Sequence, residues 1–150
     1  MRDKLTYLDN LINELSREEK YVLLVFLLRC QLVEYSIKYL LVNYPFKTFN
    51  SGEIEMDTLG RSIGRLEKLR DDGDVNLTGL IDKANEFNSL RGEVVHRFLT
   101  SSKSVGDLEV ELRSKIEQSK QIEGDVHYYF DYLNDFYKSS LNMIGGPDLF

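Results

Sequence analysis

Cysteine is nearly absent from this sequence. Cys30 is the one cysteine among 150 residues, so neither an internal disulfide nor a cysteine-based zinc site can form within the chain. Cys30 lies in an apolar segment, where a free thiol usually serves as a small buried side chain. We therefore expect a protein of a reducing compartment, with no metal and no cofactor.

Long apolar runs are absent too. The longest uninterrupted one, residues 21–28, has eight residues, whereas a membrane-spanning helix needs roughly 20. Residues 1–4 are charged and lack the basic-then-apolar plan of a secretory signal. These features predict a cytoplasmic protein without a membrane partner, folded as one domain over residues 1–150.

Basic residues are fewer than acidic ones. The 19 lysines and arginines stand against 25 aspartates and glutamates, which gives a formal net charge of −6. This balance argues against general affinity for nucleic acid, because phosphate contacts depend on lysine and arginine. A mid-chain cluster of Arg61, Arg65 and Lys68 nevertheless has a spacing that can follow a phosphate backbone. With Arg97 these are the candidate RNA-binding residues, although a solvated basic surface is the more common meaning of such spacing.

Apolar residues at helical spacing are abundant. They repeat every three or four positions from Leu5 to Leu15 and predict a first helix. The segment Ser16–Glu19, with the sequence Ser-Arg-Glu-Glu, has the spacing of a capping box and predicts that a second helix follows directly. The second helix should cover about residues 17–43 and stop before Pro45. Its wheel is apolar nearly all round, as in the central helix of a bundle or a helix that a partner subunit covers on its second side.

The rest of the chain also shows helical patterns, after a stretch over residues 45–56 that lacks periodicity and predicts a loop. The further predicted helices are one capped at Asp57 or Thr58, one over residues 78–99, and a long final helix capped by Ser104 and ended by Gly145-Gly146-Pro147. No strand pair or repeat competes with these patterns. The predicted fold is therefore all-α, an up-and-down helical bundle of about five helices.

The predicted helix over residues 78–99 contains both an apolar stripe and the candidate reaction centre, Arg91 and His96. Arg91 lies within the stripe, where a guanidinium must find acceptors in the protein or face a cleft that an anion can enter. His96 is five positions further on, which in an unbroken helix turns it about 140° away from Arg91. The two side chains can act together only if the helix loosens near Gly92 or if two protomers bring their helices together across a cleft.

Arg91 and His96, separated by four residues near the end of a helix in an all-helical chain of this size, resemble the R-x4-6-H motif of HEPN domains. The preceding segment 87–90, Phe-Asn-Ser-Leu, also resembles the family. HEPN proteins are helical bundles, commonly dimeric, and many are metal-independent endoribonucleases while others are non-catalytic binding modules. Two positions depart from the pattern. Gly92 stands where the nucleases usually have a polar residue, and Phe98 stands where toxins with nucleotidyltransferase antitoxins have a tyrosine.

The resemblance implies a metal-independent endoribonuclease of a toxin–antitoxin or phage-defence system, with Arg91 and His96 as catalytic residues at a dimer cleft. His96 would transfer protons, and Arg91 would stabilise the charge of the phosphorane. The alternative is a HEPN-like module without catalysis that binds a partner protein, a nucleotide or RNA. The expected partners are a second copy of the chain, RNA, and an antitoxin or regulatory protein. A purely structural interpretation puts Arg91 in a buried ion pair and His96 on the surface.

Overall fold

The fold is built from α-helices joined by short connections. The computed structural model describes residues 2–70, 75–97, 100 and 102–144, and the side chains within 4–70, 76–96, 100 and 102–141. The helices are α1 (Arg2–Leu15), α2 (Val22–Val42), α3 (Ser51–Met56), α4 (Leu59–Glu67), α5 (Val75–Arg97) and α6 (Val105–Ile144). This part of the chain contains no strand. The all-α prediction and the helical bundle are confirmed.

The junction between α1 and α2 differs from the prediction. The Ser16 hydroxyl donates to the Ile12 carbonyl at 2.6 Å, so it closes the end of α1 instead of capping the next helix. A short 3-10 turn, Glu19–Tyr21, follows, and α2 begins at Val22. The predicted start near residue 17 is wrong because Ser16, the serine of the apparent capping box, bonds to the preceding helix α1 and does not cap the following one.

The predicted loop over residues 45–56 is also wrong in part, because α3 occupies its second half. The Asn50 side-chain oxygen accepts hydrogen bonds from the backbone N–H groups of Gly52 at 3.0 Å and Glu53 at 3.4 Å and thereby starts α3. A helix of six residues is too short to show a repeating apolar pattern. The caps at Thr58, which accepts from the Arg61 N–H, and at Ser104, which accepts from the Asp107 N–H, are confirmed. The predicted stop at residues 145–147 lies outside the described residues.

Helices α2 and α6 lie side by side and run in the same direction. Arg29 contacts Ser119, Tyr39 contacts Phe130, and Phe46, just after α2, contacts Phe136. The residue numbers of the contacting pairs increase together in both segments, so the two helices are parallel. Helix α5 runs opposite to α6, since Glu86 pairs with Lys115 whereas the earlier Lys83 pairs with Asp125.

Among the side chains that the structure describes, the buried apolar ones form one large core and one small cluster. The large core joins α2, α3, α4, α5 and α6, and within it the rings of Phe26 and Phe87 lie 5.5 Å apart. The small cluster is formed by Ile12, Val25 and Leu32, between α1 and α2. Helix α1 therefore packs on the bundle mainly through this cluster, which meets the large core at Ile116 of α6. Among the described residues, the helices lack the combination of length and apolarity needed to cross a membrane.

A buried cation ties α2 to α6. The Arg29 guanidinium donates through Nε to the Ser119 hydroxyl at 2.8 Å, and its Nη2 lies 2.8 Å from Glu123 Oε1. The Arg29 side chain is only 8% exposed. Burial raises the pKa of Glu123, an effect that the charge of Arg29 opposes and that of Asp9 reinforces. The buried ion pair that a structural interpretation assigns to Arg91 is thus made by a different arginine.

Candidate functional site along helix α2

One face of α2 is not covered by the bundle and forms the floor of a groove. The groove has a volume of about 760 Å³. Residues of α3 and the end of α5 border it. We call it the α2 groove. Its apolar lining residues are Leu27, Tyr35, Tyr39, Val42, Ile54 and Val95. Of these, Tyr39 and Val42 are each 42% exposed and Val95 is 51% exposed, which is unusual for adjoining large apolar side chains.

Arg91 projects from α5 into this groove. Its side chain is 33% exposed, and its Nη2 lies 4.0 Å from Glu34 Oε2, too far for a hydrogen bond. Glu34 is already bound by Lys38, whose Nζ lies 2.8 Å from Glu34 Oε1 and also donates to the Glu55 carbonyl. Among the described residues no acceptor forms a hydrogen bond with the Arg91 guanidinium. Arg91 is therefore neither sealed in a buried ion pair nor fully solvated, and its donors are open to an anion in the groove.

Cys30 lies beneath Arg91 at the bottom of the α2 groove. It is 4% exposed, and burial raises the pKa of its thiol to about 12, although the charge of Arg91 acts in the opposite direction. A thiol in this state is protonated at neutral pH and is a poor nucleophile. The expectation that Cys30 is a small buried side chain is confirmed, and the residue offers the groove no covalent chemistry.

His96 opens into a different cavity from Arg91. Helix α5 continues without a break through Gly92 to Arg97, so the loosening that would let Arg91 and His96 cooperate within one chain is not observed. The exposed His96 side chain lines a shallow polar hollow of about 550 Å³ together with Asn88, Glu93 and Ser102. Within one copy, the two predicted catalytic residues therefore face separate spaces.

Three of the four candidate RNA-binding residues, Arg61, Arg65 and Lys68, lie on α4 or directly after it and do not line the α2 groove, whereas Arg97 is the last residue of α5. Arg65 is engaged by Asp57, whose Oδ2 accepts from Nε at 2.5 Å, and this hydrogen bond raises the pKa of Arg65. Arg61 and Lys68 are exposed. The prediction for Arg97 concerns a side chain outside the described residues. The basic row is thus reduced to two open cations, because its middle member is occupied by a carboxylate of the same chain.

Sequence reasoning placed Arg91 in an apolar stripe but missed the groove that it faces. A signal was present in α2, where Leu27, Gln31, Tyr35, Lys38 and Val42, which all line the groove, follow one another at spacings of four and three residues. This is the spacing of the contact positions of a coiled coil. We call this row the α2 seam. It explains why the wheel of α2 is apolar nearly all round, since one side serves the core and the seam faces the groove.

The described residues contain no group of three or more histidine, cysteine, aspartate or glutamate side chains able to hold a metal ion. Comparisons with family models, curated proteins and solved structures found no match to this chain. The HEPN resemblance therefore depends on its motif residues alone.

Proposed function

We propose that this chain is a protein-binding module whose α2 groove receives an amphipathic helix of a partner. One acidic side chain of that helix would lie at the level of Arg91. The observation that supports the proposal is the state of Arg91, a guanidinium in an apolar groove whose nearest carboxylate, Glu34, is already bound by Lys38. A bidentate carboxylate would satisfy donors that the described part of the chain leaves open.

The shape of the groove supports a helix as the occupant. The α2 seam extends over residues 27–42, a length of about 22 Å at the rise of an α-helix. An apolar stripe of a second helix packs against such a row through side chains spaced three and four residues apart. An extended chain would instead need open backbone groups to pair with, and α2 uses its own within the helix.

A synthetic helical peptide tests this function directly. The probe has about 15 residues, to match the seam length. It has leucines at heptad spacing and one glutamate in the middle of the stripe, and a matched peptide has glutamine there. Loss of a charged hydrogen bond costs about 1.5 kcal/mol or more, so we expect Arg91→Gln to weaken the glutamate peptide at least about tenfold. Replacing glutamate by glutamine should weaken binding similarly, and combining both changes should add little.

Fluorescence anisotropy of the labelled peptide gives these affinities. Arg61→Gln, which removes an exposed arginine on α4, is the matched control and should leave the affinity unchanged. Equal binding of the glutamate peptide by the wild type and by Arg91→Gln would contradict the role of Arg91. Absence of binding by either peptide at millimolar concentration would contradict the helix-binding function.

The metal-independent endoribonuclease is a second candidate. It is favoured by one observation, that the side chains of Arg91 and His96 both reach solvent near the same end of α5. Since α5 is unbroken, the two would have to come from different copies. In the presence of EDTA, the wild type should then cleave RNA, and neither Arg91→Ala nor His96→Ala alone should do so. A mixture of the two variants should restore cleavage. Failure of the mixture to restore cleavage would exclude a shared active site.

A further inference from the structure

We propose that the second half of α6 binds an arginine-rich segment of a partner protein in an extended conformation. None of the described residues of α6 lines the α2 groove. This inference therefore goes beyond the proposed function and does not depend on it. The surface combines exposed aromatic rings with exposed carboxylates, and both kinds of group bind a guanidinium.

Three exposed aromatic side chains follow one another along α6. Tyr128, Tyr132 and Phe136 are 64%, 45% and 54% exposed, and residues four positions apart are neighbours on a helix surface. We call them the α6 ring row. Tyr132 stacks on the buried Tyr129, with ring centroids 6.2 Å apart, and Phe136 packs edge-on against Phe46 at 5.9 Å. The protein therefore holds these two rings from one side and leaves their other side to solvent.

Two carboxylates accompany the α6 ring row. Asp131 lies three positions after Tyr128 and Asp135 three positions after Tyr132, so each carboxylate is a surface neighbour of a ring. Both aspartates are exposed, and no lysine or arginine among the described residues lies within ion-pair distance of either. Two like charges four residues apart disfavour a helix slightly. A cation bound beside them would remove this repulsion.

Arginine fits this combination of groups. Its planar guanidinium stacks on an aromatic face and donates two parallel hydrogen bonds to a carboxylate. The ammonium of lysine lacks that planar fork and should bind more weakly. Nucleic acid and anionic lipids are disfavoured, because their phosphates would meet two carboxylates. A second copy would bring the same two carboxylates and a formal net charge of −6, so the favoured partner is a basic segment of another protein.

The spacing of the rings predicts the spacing of the arginines. Four residues of an α-helix rise about 6 Å, so the α6 ring row extends over about 12 Å. In an extended chain, side chains two residues apart point in the same direction and lie about 6.6 Å from each other. A segment with arginines at three alternate positions therefore places one guanidinium at each ring.

A labelled peptide with three arginines at alternate positions, separated by serines, tests this surface by fluorescence anisotropy. A cation–π contact at an exposed site contributes about threefold in affinity. Tyr128→Ala combined with Tyr132→Ala should therefore weaken binding about tenfold. Asp131→Asn combined with Asp135→Asn should weaken it at least about threefold at low salt.

Matched variants and peptides serve as controls. Tyr7→Ala removes a ring of α1 that is 68% exposed, and Glu14→Gln combined with Glu109→Gln removes two exposed carboxylates of α1 and α6. Both should leave the affinity nearly unchanged. A peptide with three lysines at the same positions, and one with the three arginines adjacent, should bind more weakly than the probe. Circular dichroism verifies that each variant is folded.

Several results would overturn the proposal. Absence of binding by the probe at millimolar concentration would exclude the surface, and equal weakening by the control pair of carboxylates would reduce the attraction to net charge. Equal affinity of the two arginine peptides would exclude the extended register. A wild type that dimerises in sedimentation, while the double ring variant stays monomeric, would replace the peptide by a second copy. The helical peptide of the α2 groove should bind the double ring variant as well as the wild type, so failure of either proposal is recognised separately.

Discussion

Arg29 and Arg91 are both arginines in apolar surroundings, and their neighbours give them different roles. Arg29 is enclosed between α2 and α6, where Ser119 and Glu123 take its donors. Arg91 reaches the α2 groove, where Glu34 is already bound by Lys38. The type of residue is the same in both cases, so the difference lies in whether a carboxylate of the same chain is available at hydrogen-bonding distance.

Removing the Arg29 cation should be severely destabilising. Arg29→Met leaves the Glu123 carboxylate, which is 23% exposed, without its partner charge. We expect a loss of about 3 kcal/mol in the free energy of unfolding, measured by urea denaturation. Arg29→Met combined with Glu123→Leu should recover most of that loss. Arg113→Met is the control, because Arg113 is 48% exposed and lies 3.9 Å from an exposed Glu19. Its loss should stay below about 1 kcal/mol, and an equal loss in both single variants would contradict the buried role.

Glu123 should make the stability depend on pH. Its pKa in the folded protein is raised above the ordinary value of 4.5, so the folded state holds the proton more tightly than the unfolded state. This contribution to stability is full below pH 4.5 and is lost as pH rises through the folded pKa. Glu123→Gln should flatten this part of the curve of unfolding free energy against pH above 4.5. The same slope in the variant and in the wild type would show that other groups cause it.

At the scale of the element, α3 shows how a short helix can shape a site. Six residues bring Ile54 into the core and Ser51 and Glu55 to the border of the α2 groove. Asn50 holds the helix in place at its start. The position of α3 therefore decides how deep the groove is.

Replacing the cap of α3 should loosen this border. Asn50→Ala removes the acceptor for two backbone N–H groups, and we expect a loss of about 1 kcal/mol, visible as a lower thermal midpoint. The affinity of the glutamate peptide should fall along with it. Asn134→Ala, a substitution on α6 away from any helix start, is the control and should cost less. An unchanged midpoint in Asn50→Ala would mean that the Ile54 contacts alone fix α3.

The long helices could be predicted from sequence because their apolar residues repeat over several turns. Their starts were less predictable, because a serine between two helices can hydrogen-bond either to the helix before it or to the helix after it. Ser104 caps the helix that follows it, whereas Ser16 bonds back to the helix that precedes it. The partner of Arg29 could not be predicted, since Glu123 is distant in sequence and meets Arg29 only through the pairing of α2 with α6. The direction of Arg91 depends on the same packing.

At the scale of the whole molecule, the described residues form two apolar clusters of unequal size. Helices α2, α3, α4, α5 and α6 share the large core, while α1 is attached through the cluster around Ile12, Val25 and Leu32. A helix attached by a few contacts can open while the remainder stays folded. The molecule is therefore expected to lose α1 before it loses the bundle.

Hydrogen exchange should detect this order. Ile12→Ala removes a side chain that is 5% exposed, and a loss of about 2 kcal/mol or more should speed amide exchange in residues 4–15 about 30-fold with little change in α4 and α5. Ile63→Ala, at a position 1% exposed in the large core, is the matched variant and should speed exchange throughout the bundle. Equal acceleration everywhere in both variants would mean that α1 and the bundle unfold as one unit.

The position of Cys30 makes its thiol a native probe of how often the structure around it opens. Its thiol is buried under Arg91 and is the one cysteine of the sequence. An alkylating reagent therefore has a single target, which it reaches only while the helices around it have parted. The rate of alkylation therefore measures how often the surrounding helices separate, and no label has to be introduced. A ligand bound above the sulfur would slow alkylation of Cys30. The alkylation rate can therefore report whether the surface along α2 is covered.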